Sequence, residues 1–461
     1  MIIKKQITHF FAFLYVIVVL LSMGTWETSY ADTENETMRQ EIDALKQRIE
    51  TLERLLQAQL SAAPETEPTP EKVELIEDEY SSIDNVIAND SPEVELLAKP
   101  WYKRVNLSGF GAVAYIDSGS AGTRPDGGFL IKEASLFVEA PVWDKSSLFF
   151  ELQTNRLGDD ETKWVRTGEV YLHIRDLFPD WGNGMISIKA GRFDIPFGEE
   201  YLTQDAIDNP LISTSAAYTY GWDEGVLFYG KYRGIGWAAS IADGSDDRSI
   251  EDHSDKAFNA KIWGNPMESL YLSASAMRNG TAGKSAIEFG GSHFQPVGVS
   301  HPSSLGISPS GKVDAALFEL DAKYHFGPYL DSGYLAVNYG MAFVDDETSS
   351  FDRDFQWFMI EPYYSLTEQI YLVARYSEIG TYDDNEGYHF DGKTTAGGNS
   401  SLGYDTRRFQ RLSVGMGWWY NPRLNIKLEY SRDRFDLING SLLSADNNNR
   451  NLFGIEMVGG F

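Results

Sequence analysis

The sequence predicts an all-β protein: a 16-stranded antiparallel transmembrane β-barrel with a short N-terminal coiled coil. Three observations predict it. From Trp101 onward, apolar and polar residues alternate with period two, the mark of strands with one apolar and one wet face. The connections between these runs are short and long in turn. The chain also ends on "NLFGIEMVGGF", an alternating strand that sets Phe453, Ile455, Met457 and Phe461 on one face and carries no polar tail. Composition agrees. Aromatics reach 13%, there are 42 Gly, and the mean hydropathy of -0.32 describes a polar chain suited to many strands rather than long helices. There is no Cys, which excludes disulfides and thiolate metal sites. The formal net charge of -29 argues against nucleic acid as a partner, because phosphates need a basic face.

Residues 1–31 read as a signal peptide. Lys4 and Lys5 precede the apolar run "FFAFLYVIVVLL", which is shorter than a spanning helix needs, and Ser29 and Ala31 supply the small residues of a cleavage site. Residues 32–60 read as a coiled coil. Ile42, Ile49 and Leu56 fall on one seam position, and Met38, Leu45 and Leu52 on the other. Ile and Leu in those places lean toward a dimer. Arg48 and Glu53 instead resemble the Arg-x-x-x-x-Glu motif of three-stranded coiled coils. A homotrimer is the reading taken, with Ile42, Leu45, Arg48, Ile49, Leu52, Glu53 and Leu56 as the trimerisation set. Residues 61–100 are acidic and contain Pro64, Pro68, Pro70 and Pro92, the composition of a solvated linker.

The barrel occupies 101–461. About 16 alternating runs of about ten residues each, the length that crosses a bilayer at a tilt, fill it. They are predicted at 105–117, 129–141, 146–156, 164–176, 185–195, 224–232, 235–243, 257–265, 270–279, 313–326, 333–345, 353–364, 370–381, 407–419, 424–435 and 451–461. "LNIKLEYSRD" is representative: Leu424, Ile426, Leu428 and Tyr430 oppose Asn425, Lys427, Glu429, Ser431 and Asp433. Even-numbered connections are short, such as "RG" and "NPR". Odd-numbered ones are mostly long and polar, such as "DGSDDRSIEDHSDK" and "DLINGSLLSADNNNR". A soluble sandwich has no reason to sort its loops this way, whereas a barrel with one end in the periplasm and one outside does. In lipid an open sheet edge would leave N–H and C=O groups unpaired, so the sheet must close.

The most distinctive stretch is "IKAGRFDIPFGEEYLTQDAIDNPLISTSAAYTYGWDEGVLFYGKY": a strand that ends at "AGRFDIPFG", then a long loop. This stretch resembles the phosphate-selective porin O and P family of Gram-negative outer membranes. There the same motif closes the fifth strand and the next loop folds into the pore. The resemblance implies a homotrimer of 16-stranded barrels in the cell outer membrane, each a passive channel, with the coiled coil in the periplasm and lipid and lipopolysaccharide around the barrel. A phosphate channel needs Arg and Lys at its constriction. Here the loop carries Asp194, Glu199, Glu200, Asp205 and Asp208 and no basic residue. Inward basic residues stand on the strands instead: Arg175, Lys189, Lys323, Arg375, Arg407, Arg411 and Lys427, matched by Glu133, Glu139, Glu151, Glu169, Glu319, Asp321 and Glu429. Acidic loop against basic wall predicts a transverse field and a weak selectivity that leans to cations. The terminal Phe461 resembles the signal by which outer-membrane proteins reach the barrel-assembly machinery.

Other chemistry is thin. The seven His are scattered without metal-ligand spacing, and no Ser/His/acid set suggests a hydrolase. The sequence therefore predicts no metal, no cofactor and no enzymatic activity. The alternative to a channel is a structural or conduit barrel, such as the sheath of an electron-transfer complex or an envelope tether.

Overall fold

The computed structural model describes residues 104–118, 126–143, 145–154, 165–178, 184–203, 205–217, 219–244, 256–282, 293–294, 313–326, 332–346, 353–382, 406–437 and 449–461. The predicted signal peptide, coiled coil and linker, with Ile42, Leu45, Arg48, Ile49, Leu52, Glu53 and Leu56, lie outside the described residues.

Sixteen antiparallel strands close into one barrel, each paired with its neighbour in sequence and the last with the first. In chain order they are β1 (Asn106–Asp117), β2 (Gly128–Trp143), β3 (Ser146–Thr154), β4 (Arg166–Ile174), β5 (Ser187–Asp194), β6 (Trp222–Tyr232), β7 (Ile235–Ala242) and β8 (Ala257–Met267). The second half comprises β9 (Leu270–Ala282), β10 (Val313–Phe326), β11 (Gly333–Asp346), β12 (Arg353–Ser365), β13 (Ile370–Thr381), β14 (Thr406–Asn421), β15 (Leu424–Leu437) and β16 (Asn449–Gly460). The predicted runs coincide with these strands to within a few residues.

Alternation along each strand sorts the residues by face. On β15 the inward Asn425, Lys427, Glu429, Ser431 and Asp433 are buried, while Leu428 and Tyr430 are exposed. Outward Leu412, Val414 and Met416 of β14, Leu428 of β15, and Phe453, Ile455 and Met457 of β16 form one continuous apolar surface. A soluble monomer rarely exposes such a belt. A bilayer covers it, and full burial of each large side chain is worth roughly 1.5–3 kcal/mol.

Closure happens at the end of the chain. β1 pairs with β16 from Phe110↔Gly460 to Asp117↔Phe453. Phe461 stands one residue past the strand yet stays in the ladder: its N–H donates to the Gly109 carbonyl at 2.9 Å, and its carbonyl accepts from Gly109 at 3.3 Å. Its ring lies over Gly109. A Cβ there would sit 3.1 Å from the ring and 2.5 Å from the Ser135 carbonyl, so position 109 has no room for a side chain.

One irregularity alters the inward row. A bulge between Ala112↔Glu133 and Val113↔Ile131 inserts Lys132 into β2. The parity of the strand changes there, so Lys132 joins the interior beside Glu133 and is 4% exposed.

Candidate functional site

Between β5 and β6 the chain leaves the wall and folds into the barrel over residues 195–221. It contains one helical turn, α1 (Glu200–Thr203), and Thr219–Tyr220 pair with His293–Phe294. Apolar anchors seat this inner loop on the wall. Ile195, Phe197, Ala216 and Ala217 cluster with Leu317, Trp357, Phe409 and Phe435. Ile212 packs with Ala114, Ile116, Leu130 and Leu452, and Leu211 packs with Tyr371 and Val373.

Inward side chains of β13–β16 then satisfy the loop backbone. The Glu429 carboxylate accepts the N–H groups of Ile212 at 2.5 Å and Ser213 at 2.8 Å, and also the Ser213 hydroxyl. Arg375 donates to the Ser213 carbonyl at 2.9 Å, to Asn209 Oδ1 at 3.0 Å and to Glu361 at 2.5 Å, with Glu200 at 3.4 Å. Arg411 holds Asp433 with two bonds of 2.7 Å and reaches the Thr214 carbonyl at 3.4 Å. Lys427 donates to the Ala206 carbonyl and pairs with Glu456 at 2.9 Å; Lys132 reaches the same carboxylate at 2.9 Å. Across the barrel Lys261 donates to the Gly198 carbonyl and pairs with Glu199, both at 2.6 Å.

These contacts correct part of the predicted constriction. Arg375, Arg411 and Lys427 were expected to line the pore. They are 0% exposed, because the loop lies on top of them and takes up their donors. Glu200, expected on the pore face of the loop, is also buried. It accepts the Ser215 N–H at 2.7 Å and faces Arg375. Burial pushes the Glu200 carboxyl up, and Arg375 and the Ser215 bonds pull it back. The expected opposition of acidic loop and basic wall is thereby cancelled on this side: cation and carboxylate are used against each other in a dry interface.

The β2–β5 wall differs. Glu151 accepts the Ser135 hydroxyl at 2.9 Å and the Glu169 N–H at 3.1 Å. Glu169 accepts the Asp194 N–H at 3.0 Å, with Lys189 at 3.7 Å. Arg175 pairs with Glu139 near the Lys145–Asp176 pair. Below these carboxylates runs an aromatic row, in which Phe149 stacks on Tyr171 at 4.9 Å and Lys189 sits 4.2 Å above the Tyr171 ring. Asp194, Glu199, Asp205 and Lys189 are part-exposed, and Asp208 is exposed. Burial, and then the neighbouring Glu133, Asp208, Glu151 and Asp194, push the Asp205 carboxyl well above the ordinary range. These carboxylates therefore feel one another across the gap between loop and wall.

Lys323 of β10 stands apart from both sets. Among the described residues it makes no ion pair, and its ammonium rests 4.1 Å above the Tyr334 ring. Reading the sequence missed Lys132, Lys261, Glu361 and Glu456 as loop supports. The alternation on β8 does place Lys261 inward, but nothing in it says that the loop arrives there. Among the described residues, no group of His, Asp and Glu is arranged to hold a metal ion.

The barrel is similar to several solved structures. The outer-membrane channel DcaP of Acinetobacter baumannii superposes with a TM-score of 0.52 at 15% identity, over 77% of this chain and 97% of that one. OprB of Pseudomonas putida gives 0.51 at 9%, over 80% and 96%. OmpT of Vibrio cholerae, an outer-membrane protein in a trimer form, gives 0.50 at 12%, over 77% and 99%. The sequence matches no protein-family model and no curated protein. At these identities the likeness is one of fold, that of a closed outer-membrane β-barrel.

Proposed function

We propose that this chain is an outer-membrane porin, a passive diffusion channel for ions and small hydrophilic solutes. The observation that carries the reading is the inner loop. It crosses the lumen of a closed barrel with an apolar exterior, and it leaves Asp194 and Asp205 toward the β2–β5 wall while covering Arg375, Arg411 and Lys427. Fixed negative charge of this kind favours cations, so the selectivity is weak and leans to cations. The resemblance to phosphate-selective porins would call for exposed Arg or Lys at the constriction. Of the predicted basic set, Arg375, Arg411 and Lys427 are covered, and preference for phosphate is left out of the proposal.

The working form is a homotrimer. The coiled-coil seam at 32–60 supports this, as does the trimer form of a protein with the same fold. The signal peptide takes the chain out of the cytoplasm, and the coiled coil then lies in the periplasm. The belt meets lipid and lipopolysaccharide, and Phe461 engages the barrel-assembly machinery. Single-channel recording of the purified protein in a salt gradient tests the core of this reading. An ohmic conductance with a small reversal potential of cation sign is expected. A silent barrel would point to a structural or conduit role, and strong anion preference would refute the assignment of the loop. The substitution Phe461→Asp is expected to lower the yield of assembled barrel while conductance per barrel stays near that of the parent. The reverse pattern would remove Phe461 as an assembly determinant.

A further inference from the structure

On the outward face of β15 the apolar run stops early. Leu424, Ile426, Leu428 and Tyr430 face outward in turn, and Arg432, Arg434 and Asp436 follow them. At the end with the short turns, Trp418 and Tyr420 of β14 pack edge to face at 5.7 Å, and Trp418 pairs with Ile426. Aromatic girdles flank the apolar band of such barrels, so this pair marks one margin of the belt. A strand rises ~3.3 Å per residue and tilts by about 40°, which sets Arg432 about 20 Å above Leu424. The belt is about 25 Å tall. Arg432 therefore falls at its other margin, on the side of the long connections 382–405 and 438–448.

The charges at this margin are unequally engaged. Arg408 of β14 pairs with Asp436 and lies 3.6 Å from Glu378. Glu378 also accepts from Tyr376 at 2.9 Å and from Gln410 at 2.7 Å. Arg434 gives its Nε–H to the same Asp436 at 3.1 Å, and its side chain is 63% exposed. Arg432 is exposed and makes no ion pair among the described residues. Both carboxylates are thus taken up, and what is left over is positive: the Arg432 guanidinium and the terminal nitrogens of Arg434, two residues apart on one face. An unpaired guanidinium at the edge of hydrocarbon calls for an anion. Beside and below it, Leu412 and Tyr430 are 49% and 47% exposed, and Val414 and Leu428 continue the apolar surface. A ligand that fits both parts carries phosphate at its head and hydrocarbon beneath. A phosphomonoester, with three terminal oxygens and nearly two charges, engages both arginine forks, whereas a phosphodiester offers two such oxygens and one charge.

We infer that the outer face of β14 and β15 binds a phosphomonoester lipid of the outer leaflet, the lipid A part of lipopolysaccharide. One phosphate sits on Arg432 and Arg434, and acyl chains lie on Leu412, Val414, Leu428 and Tyr430. The inference rests on the outer-membrane reading above, to which it adds a place and a chemistry for the lipid contact, and it does not require conduction. Native mass spectrometry of the full-length protein, released from detergent after titration with defined lipids, tests it. Diphosphorylated lipid A is expected to form a saturable adduct. Dephosphorylated lipid A with the same acyl chains, and phosphatidylglycerol, are each expected to bind about tenfold more weakly. Arg432→Gln with Arg434→Gln is expected to weaken diphosphorylated lipid A by about tenfold. Arg423→Gln, at an exposed arginine of the short turn before β15, is expected to change nothing. Heat-modifiable migration confirms that both variants fold. Equal binding of the dephosphorylated lipid or of phosphatidylglycerol, unchanged affinity in the folded double variant, or an equal loss in Arg423→Gln would overturn the site. A conducting barrel without this pattern would overturn only the site. A silent barrel that shows it would overturn only the channel reading.

Discussion

The β13–β16 wall and the β2–β5 wall carry the same kind of inward row, charged residues spaced two apart, and cover it to different degrees. On β13–β16 the inner loop lies directly on the row. Arg375, Arg411, Lys427 and Glu429 are buried and become hydrogen-bonding partners of a loop backbone that is mostly irregular. Irregular backbone inside a barrel needs such partners, because each unpaired buried N–H or C=O is costly. On β2–β5 Glu151 and Glu169 are buried too, but Lys189 and Glu133 remain part-exposed. Inward charge is therefore not the same thing as pore-lining charge. What lies on top of it decides.

The two walls should respond unequally to the loss of a cation. Arg375→Met leaves Glu361 and Glu200 buried without their cation, a loss of roughly 3–5 kcal/mol for a buried pair. Lys189→Met on the open wall removes a longer, part-exposed contact and is expected to cost about 1 kcal/mol or less. Thermal unfolding followed by heat-modifiable migration, with conductance noise as a report on the loop, measures both. Equal effects would mean that the clamp is not one. Next comes Gly198→Val, where the loop turns with φ +67° and a Cβ would stand 2.6 Å from Glu319. A strained backbone of this kind costs about 1–3 kcal/mol, and easier proteolysis of the loop is the expected readout. A loop as resistant as the parent's would show that the turn relaxes freely.

A smaller effect is expected from Asp205→Asn with Asp208→Asn. The cation-to-anion permeability ratio should fall severalfold with little change in stability, because the groups removed face the lumen. A ratio that stays constant would move the selectivity elsewhere. The smallest effect is the pH dependence. The Asp205 carboxyl is raised in the folded state. Its contribution to seating the loop is fully present below the ordinary aspartate pKa of about 3.9 and is lost as pH rises through the raised value. Ionisation over the same window adds negative charge to the lumen, so cation preference should grow as pH rises. Asp205→Asn alone should flatten that profile, and a profile unchanged in the variant would assign the titration to another group.

Much of this was legible in the sequence. Period-two alternation gave the strands, and the sorting of loop lengths pointed to the up-and-down order. Leu428 and Tyr430 could be placed outside, and Lys427 and Glu429 inside, from "LNIKLEYSRD" alone. The "GRFDIPFGEE" motif located the inner loop. The bulge at Lys132 was not legible, since alternation assumes that every residue advances the pleat. Nor was the pairing of Ser213 with Glu429, because nothing local in either segment records a contact with a partner more than two hundred residues away.

Apart from the bulge at Lys132, the sequence by itself determined which side of the wall each strand residue faces, because facing is a local property of an extended backbone. Only the tertiary structure decided which inward charges meet water and which are buried as ion pairs. Exposure depends on a segment arriving from across the barrel, and its position is fixed by the sum of its apolar anchors on the walls and the hydrogen bonds that satisfy its backbone.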